Sequence, residues 1–250
     1  MRIIFFLVLI CLAMAPARAQ NKKDSQGRRQ GAWVKYYPDG KTMLYSGQFK
    51  DDRPVGEFRY YFESGKIKSI VQHETKERSY AWFYFENEQL MSEGQYVNQK
   101  KDSVWKNYNE QGFLVSMETF KNNRLNGEKL IYYIQNQIET GEVKCAQLET
   151  YKDSVLQGRY VEFFSTGSKK QEGAYNQGKK TGVWETYHPD GSVATRIKFR
   201  EGKAYGYAYA YDEEGTELYK SYWLDGKRLD AKALDKYLID CKNKGVIPEE

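Results

Sequence analysis

The stretch Gly31-Ala32-Trp33-Val34-Lys35-Tyr36-Tyr37-Pro38-Asp39-Gly40 returns later in the chain as Gly182-Val183-Trp184-Glu185-Thr186-Tyr187-His188-Pro189-Asp190-Gly191. The shared template is G-x-W-x-x-Y-x-x-x-G. With substitutions it recurs along most of the sequence, and self-similarity at a fixed period is the mark of a repeat architecture. The Trp position is read at Trp33, Phe58, Trp82, Trp105, Lys129, Tyr160, Trp184 and Ala208, in steps of 25, 24, 23, 24, 31, 24 and 24 residues. The second aromatic is read at Tyr36, Tyr61, Phe85, Tyr108, Tyr132, Phe163, Tyr187 and Tyr211. The closing glycine is Gly40, Gly65, Gly112, Gly167, Gly191 and Gly215, with Gln89 and Asn136 in its place in the third and fifth copies. A second half-repeat follows each and ends on an aromatic: Phe49, Tyr96, Phe120, Tyr151, Tyr175, Phe199 and Trp223. In the second copy, residues 72–78 offer no clear aromatic.

Two short aromatic and β-branched runs separated by turn residues form a β-hairpin rather than a helix pair. Pro38-Asp39-Gly40 and Pro189-Asp190-Gly191 supply a preset φ, a locally bonding side chain and a glycine free to take positive φ. The expected fold is all-β: an elongated antiparallel meander of about eight hairpin repeats over residues 29–228, each touching its neighbours. Sixteen strands at about 4.8 Å would extend roughly 75 Å. Trp and Tyr stand three apart, which puts them on opposite faces of a regular strand unless a bulge re-aims one.

The template followed by G-x-[FY] resembles the bacterial variant of the MORN (membrane occupation and recognition nexus) repeat, in chains often grouped as YwqK-type antitoxin-like proteins. The resemblance covers about residues 29–228. It implies a hairpin array and a binding role. Antitoxins of the family would act on a toxin in the cytoplasm, and the N-terminus of this chain points elsewhere.

Arg2, the apolar run from Ile3 to Met14 and Ala17-Arg18-Ala19 before Gln20 have the layout of a secretory signal. Its dozen or so apolar residues fall short of the ~20 that span a bilayer. The sequence therefore predicts a signal peptide over 1–19 cleaved between Ala19 and Gln20, an N-terminal linker over 20–28, and an exported, periplasmic or extracellular protein with no transmembrane segment after cleavage. Subtracting the nine Ile, Leu, Val and Phe of the first twelve residues leaves 37 aromatic side chains against 32 Ile, Leu and Val. That inverts the usual core, in which branched aliphatics dominate. Removing Arg2 and Arg18 leaves 37 basic against 34 acidic residues, a net +3, too mild to suggest nucleic-acid binding.

The longer fifth step places extra chain around residues 135–147, read as an exposed hairpin extension or a recognition loop. Beyond the repeats, Leu234, Tyr237, Leu238 and Cys241 recur at helical spacing, with Asp230 placed to cap and Gly245 to terminate. Residues 229–250 are thus expected to form a capping helix and tail over the last strand edge. Cys145 and Cys241 are the cysteines left after cleavage; bridging them would span several strands, beyond the Cα limit of about 7 Å.

No His pair on a helix, C-x-x-C, phosphate-binding loop, nucleophile elbow or dinucleotide fingerprint is present. The sequence predicts no catalytic residue, metal site or cofactor. In a meander the between-repeat turns share one edge, which carries Lys100, Lys101, Lys121, Arg124, Lys179, Lys180, Lys203, Lys227 and Arg228. This edge is the candidate contact for a polyanion such as anionic envelope lipid or polysaccharide. A protein partner is the first expectation, through a non-catalytic scaffold. The alternatives are an antitoxin-like inhibitor and a carbohydrate binder using exposed Trp33, Trp82, Trp105 and Trp184.

Overall fold

The computed structural model describes residues 21–248, so the expected signal peptide lies outside the described residues. A two-residue strand, β1 (Lys22–Lys23), precedes eight hairpins. The first four pair β2 (Arg29–Tyr36) with β3 (Met43–Lys50), β4 (Arg53–Tyr61) with β5 (Ile67–His73), β6 (Arg78–Tyr84) with β7 (Leu90–Val97), and β8 (Lys100–Tyr108) with β9 (Leu114–Lys121). The second four pair β10 (Arg124–Tyr132) with β11 (Cys145–Lys152), β12 (Val155–Phe163) with β13 (Lys169–Asn176), β14 (Lys179–Tyr187) with β15 (Val193–Arg200), and β16 (Lys203–Tyr211) with β17 (Glu217–Leu224). A short helix, α1 (Ile134–Thr140), interrupts the fifth hairpin, and β18 (Lys227–Leu229) and α2 (Ala231–Lys244) close the chain. Every strand pairs antiparallel with its sequence neighbours, giving one open sheet of 18 strands. This is the expected all-β meander with its C-terminal helix.

The hydrophilic composition is reconciled with folding by one device. In three copies the aromatic at the Trp position lies flat on a glycine of the preceding strand. A Cβ placed on Gly47, Gly94 or Gly173 would stand 2.6, 2.4 or 2.3 Å from the rings of Phe58, Trp105 and Trp184. Only glycine lets a ring and a backbone approach so closely. The aromatic ending the second half-repeat then meets that ring edge-on, as in Tyr96 with Trp105 at 5.0 Å and 76° and Tyr175 with Trp184 at 5.2 Å and 84°. Trp105, Phe58 and Trp184 are buried as a result. Each ring pair of this geometry adds about 0.5–1.5 kcal/mol to the area it hides.

The second aromatic of the repeat sits on the other face. A bulge just before Tyr36, Tyr61, Tyr108, Tyr132 and Tyr187 shifts the register. Three of their hydroxyls reach back to the preceding hairpin: Tyr108 Oη donates to Glu93 at 3.1 Å, Tyr132 Oη to Met117 Sδ at 3.1 Å, and Tyr187 Oη to Glu172, the last also bonding Glu185 of its own strand at 2.9 Å. Burial and then the Glu93 carboxylate push the Tyr108 hydroxyl up to about 12. Both faces therefore carry aromatics, one in ring-on-glycine packing and the other in tyrosine–carboxylate bonds.

Four expectations need correction. In the third copy, the side chain facing Gly94 across the pair is Ala81, fully buried, and the turn begins one residue after Tyr84. The repeat positions there belong to Ala81 and Tyr84 rather than Trp82 and Phe85, and Glu88 (φ 71°) closes the turn in place of Gln89. Trp82 lies on the tyrosine face, against Tyr80 at 4.7 Å. In the second copy the missing aromatic is His73, which packs edge-on to Phe58 at 5.4 Å. The extra chain of the fifth copy is the helix α1, capped by Gly141 (φ 74°), rather than a hairpin extension. Residues 22–23 of the expected linker pair with β2, where Asn21 also bonds both polar groups of the Val34 backbone.

At the C-terminus Asp230 accepts from the Ala233 amide at 2.8 Å and Gly245 takes φ 64°, as their positions imply. The helix packs through Tyr237 on Tyr222 at 5.5 Å. Pairing at the strand edge is left to β18, opposite Tyr222, Trp223 and Leu224. Cys145 and Cys241 are both free.

Candidate binding edge

The two long edges of the sheet differ in turn chemistry. On the within-hairpin edge, Asp39 Oδ1 accepts from the amides of Lys41 and Thr42, Asp190 from Ser192, and Asp212 from Thr216. Bonds to Thr42 and to the local amides hold the Asp39 carboxyl below the usual range. These three aspartates are thus occupied in shaping their own turns.

The other edge is built from two-residue turns with both residues at positive φ: Asp51-Asp52, Asn98-Gln99, Asn122-Asn123, Asp153-Ser154, Gln177-Gly178, Glu201-Gly202 and Asp225-Gly226. Turns of this hand match the strand twist. In six of them the second residue donates its amide to the preceding hairpin, as from Asp52 to Arg29, Asn123 to Lys101 and Gly202 to Lys180, at 2.8–3.2 Å. The chain thereby ties turn to turn along the edge.

Side chains repeat the same rungs. In four copies the residue five before the Trp position ion-pairs with the first residue of the next turn: Arg28 with Asp51 at 3.0 Å, Arg124 with Asp153 at 3.8 Å, Lys179 with Glu201 at 2.9 Å and Lys203 with Asp225 at 3.2 Å. The residue four before it turns inward. Arg29 lies over Phe49 at 3.8 Å, Lys101 over Trp105 at 4.1 Å and Phe120 at 5.0 Å, and Lys180 over Trp184 at 3.9 Å and Phe199 at 5.3 Å. A cation on an aromatic face is worth about 0.5–2 kcal/mol. Burial lowers the affinity of Lys101 and Lys180 for their protons.

The structure therefore divides the residues that the sequence grouped as one basic stripe. Lys101 and Lys180 cover rings, and Arg124, Lys179 and Lys203 are paired with acids of the edge itself. Lys100, Lys121, Lys227 and Arg228 are exposed, with no ion-pair partner among the described residues. Sequence reading did not single out Arg53 and Lys76, which hold the same repeat position as Lys100 and are equally exposed and unpaired. Counting five residues back from the corrected Trp positions would have found them. Among the aromatics, Trp105 and Trp184 are buried, so they offer no ring to a sugar, while Tyr36 is 48% exposed. Among the described residues no group of three or more His, Cys, Asp or Glu stands where it could hold a metal ion, and no helix is long and apolar enough to cross a membrane.

A profile of the MORN repeat variant matches residues 54–74, 83–98 and 180–201. The first of these spans β4 and β5, the second runs from the end of β6 through β7, and the third covers β14 and β15. No curated protein matches the chain. Among solved structures, TarM aligns at 11% identity and a TM-score of 0.28 over 40% of this chain and 20% of its own. A chain of a TcdB2–TccC3–Cdc42 complex aligns at 12% identity and 0.24 over 79% and 12%. This chain spans about a fifth and an eighth of those two, and superposition at that level bears on neither its fold nor its role.

Proposed function

We propose that this chain is a non-catalytic, exported repeat scaffold that binds a partner protein of the cell envelope along its sheet edges. The observation that carries the reading is the array itself. Hairpins recur along the described residues, three stretches of them match the MORN repeat variant, and such repeats commonly serve as binding modules. The secretory layout of residues 1–19 supports export, and the unpaired cations of the turn edge supply a polar surface for recognition.

Affinity capture from the native envelope, with mass spectrometry of what is retained, tests the partner. N-terminal sequencing of the exported form tests the address, the expected first residue being Gln20. The antitoxin-like reading makes the opposite forecast: the chain lacking residues 1–19 would rescue cells from a toxin encoded nearby. Rescue without export would overturn the scaffold reading.

A further inference from the structure

The ladder of ion-pair rungs along the turn edge lapses in the sixth copy, where Val155 and Gln177 carry no charge, and over three consecutive hairpins where the cation stays and the acid is missing. Arg53, Lys76 and Lys100 occupy the position that elsewhere pairs with an acid on the next turn, and each lacks one for a visible reason. Opposite Lys76 and Lys100 the first turn residue is Asn98 and Asn122, where the four copies with a closed rung carry Asp51, Asp153, Glu201 or Asp225. Opposite Arg53 the turn itself is different. Residues 74–77 form a wider loop in which the amides of Glu74 and Thr75 both donate to the Arg78 carbonyl. No turn amide among the described residues reaches the Pro54 carbonyl, where each other copy of this edge has a backbone rung.

The missing rung leaves open space. Cavities of about 810 and 480 Å3 flank the 74–77 loop, sharing Arg53, Pro54, His73, Thr75 and Lys76 as lining. Lys50 lines the first and Arg78 the second, and both are also without an ion-pair partner among the described residues.

We infer that this broken stretch is the docking surface for an acidic, extended peptide segment whose carboxylates take the places that the turns leave empty. The inference rests on the scaffold reading and names the chemistry of its partner. Charge complementarity carries it. In the four closed rungs the fold itself shows what these positions bind, a carboxylate at 2.9–3.8 Å. Equivalent residues stand two strands apart, about 10 Å, and an extended chain in the polyproline II conformation, with three residues per turn and about 3.1 Å per residue, returns the same face in about that distance. The segment so defined has an Asp or Glu at every third position, facing Arg53, Lys76 and Lys100 in turn.

The test uses the full chain and a fluorescent peptide with glutamates at positions 1, 4 and 7 separated by serines, followed by anisotropy at low ionic strength, where exposed charges are least screened. Two variants lower the net charge by two. N98D/N122D restores internal acids to the rungs of Lys76 and Lys100 while removing no cation, and Asp51, Asp153 and Asp225 already hold that turn position at φ 50–53°. K179Q/K203Q opens two rungs that are paired. The expected result is a loss of about tenfold in affinity for N98D/N122D and for R53Q/K76Q/K100Q, against less than about twofold for K179Q/K203Q. A peptide with its three glutamates adjacent is expected to bind more weakly than the spaced one. Equal losses in all variants, or equal binding of the two peptides, would reduce the edge to a diffuse field and overturn the inference. So would binding of inorganic phosphate or anionic vesicles with none of the peptide. If envelope capture yields a partner that R53Q/K76Q/K100Q retains in full, the scaffold reading stands and this assignment of its surface fails.

Discussion

At the scale of single residues, His73 shows how the repeat tolerates an exception. It stands where other copies place Phe49, Tyr96 or Phe199, and its ring keeps the edge-on contact with the residue at the Trp position. The contact comes with a defect, since Nε2 is buried without a hydrogen-bond partner. An unmet buried polar atom costs about 1–3 kcal/mol. Burial also pushes the imidazole below the ordinary histidine range. The unfolded chain then takes up a proton near pH 6.5 while the folded chain still resists it, so stability falls as pH drops through that value. His73→Phe restores the ring of the other copies and removes both penalties. Urea denaturation should find it more stable than the parent by about 1 kcal/mol at pH 7.5, with a wider gap at pH 5.5. A loss of stability, or a gap that narrows on acidification, would contradict the account. Residues 72–78 read as lacking an aromatic because an imidazole is a weak hydrophobic signal. What identifies it is register: His73 lies opposite Gly56 as Phe49 lies opposite Gly31.

Secondary-structure elements were legible from the sequence wherever turn chemistry and aromatic spacing agreed, and misplaced where they diverged. In the third copy, Trp82 and Phe85 are three apart, and so are Ala81 and Tyr84. Aromatic content alone favours the first pair. The deciding signal is local backbone: the second residue before the Trp position takes positive φ at Gly31, Gly56, Ser103, Gly127, Gly158, Gly182 and Gly206, whereas Ser79 does not. Without that bulge β6 pairs with β5 in unbroken register, and a slip of one residue exchanges its two faces. The helix α1 was hidden for another reason. Seven residues are too few for a periodic pattern, and the helix is tied to the strand before it by one side chain, while Asn136 bonds the Ser165 carbonyl on the other side at 3.1 Å. Gln137 accepts from the Leu114 amide at 2.9 Å and donates to the carbonyls of Leu114 and Tyr133 at 2.8 and 3.0 Å. It thus supplies from a helix the backbone bonds that a turn would otherwise make. Gln137→Ala would strand those groups and should cost about 1–3 kcal/mol in chemical denaturation. Hydrogen exchange at the Leu114 amide should rise while that at Trp105 stays protected; equal loosening at both would argue against a local role.

For the whole molecule, the repeat makes a demand that composition does not express. The ring at each Trp position must find glycine or another small neighbour on the strand before it, as Trp184 does on Gly173 and Trp105 on Gly94. Where the preceding strand offers Glu118 or Glu149 instead, the position holds Lys129, paired with Glu149 at 3.6 Å, or Tyr160, bonded to Glu162. The array is therefore a sequence of matched interfaces, and units can be added only if both new joins match. Residues 158–181 form one such unit, 24 residues long. Duplicated in tandem, they bring the second Tyr160 against the first Gly173 and leave Trp184 on the second Gly173. The duplicated chain should fold cooperatively, with an undiminished melting temperature and a denaturant slope that grows with the surface added. Inserting the same segment short of its last residue would put the downstream strands out of step, turn the ring of Trp184 to the tyrosine face and lower the melting temperature. If the two insertions behave alike, the ring-on-glycine rule is not what sets the register.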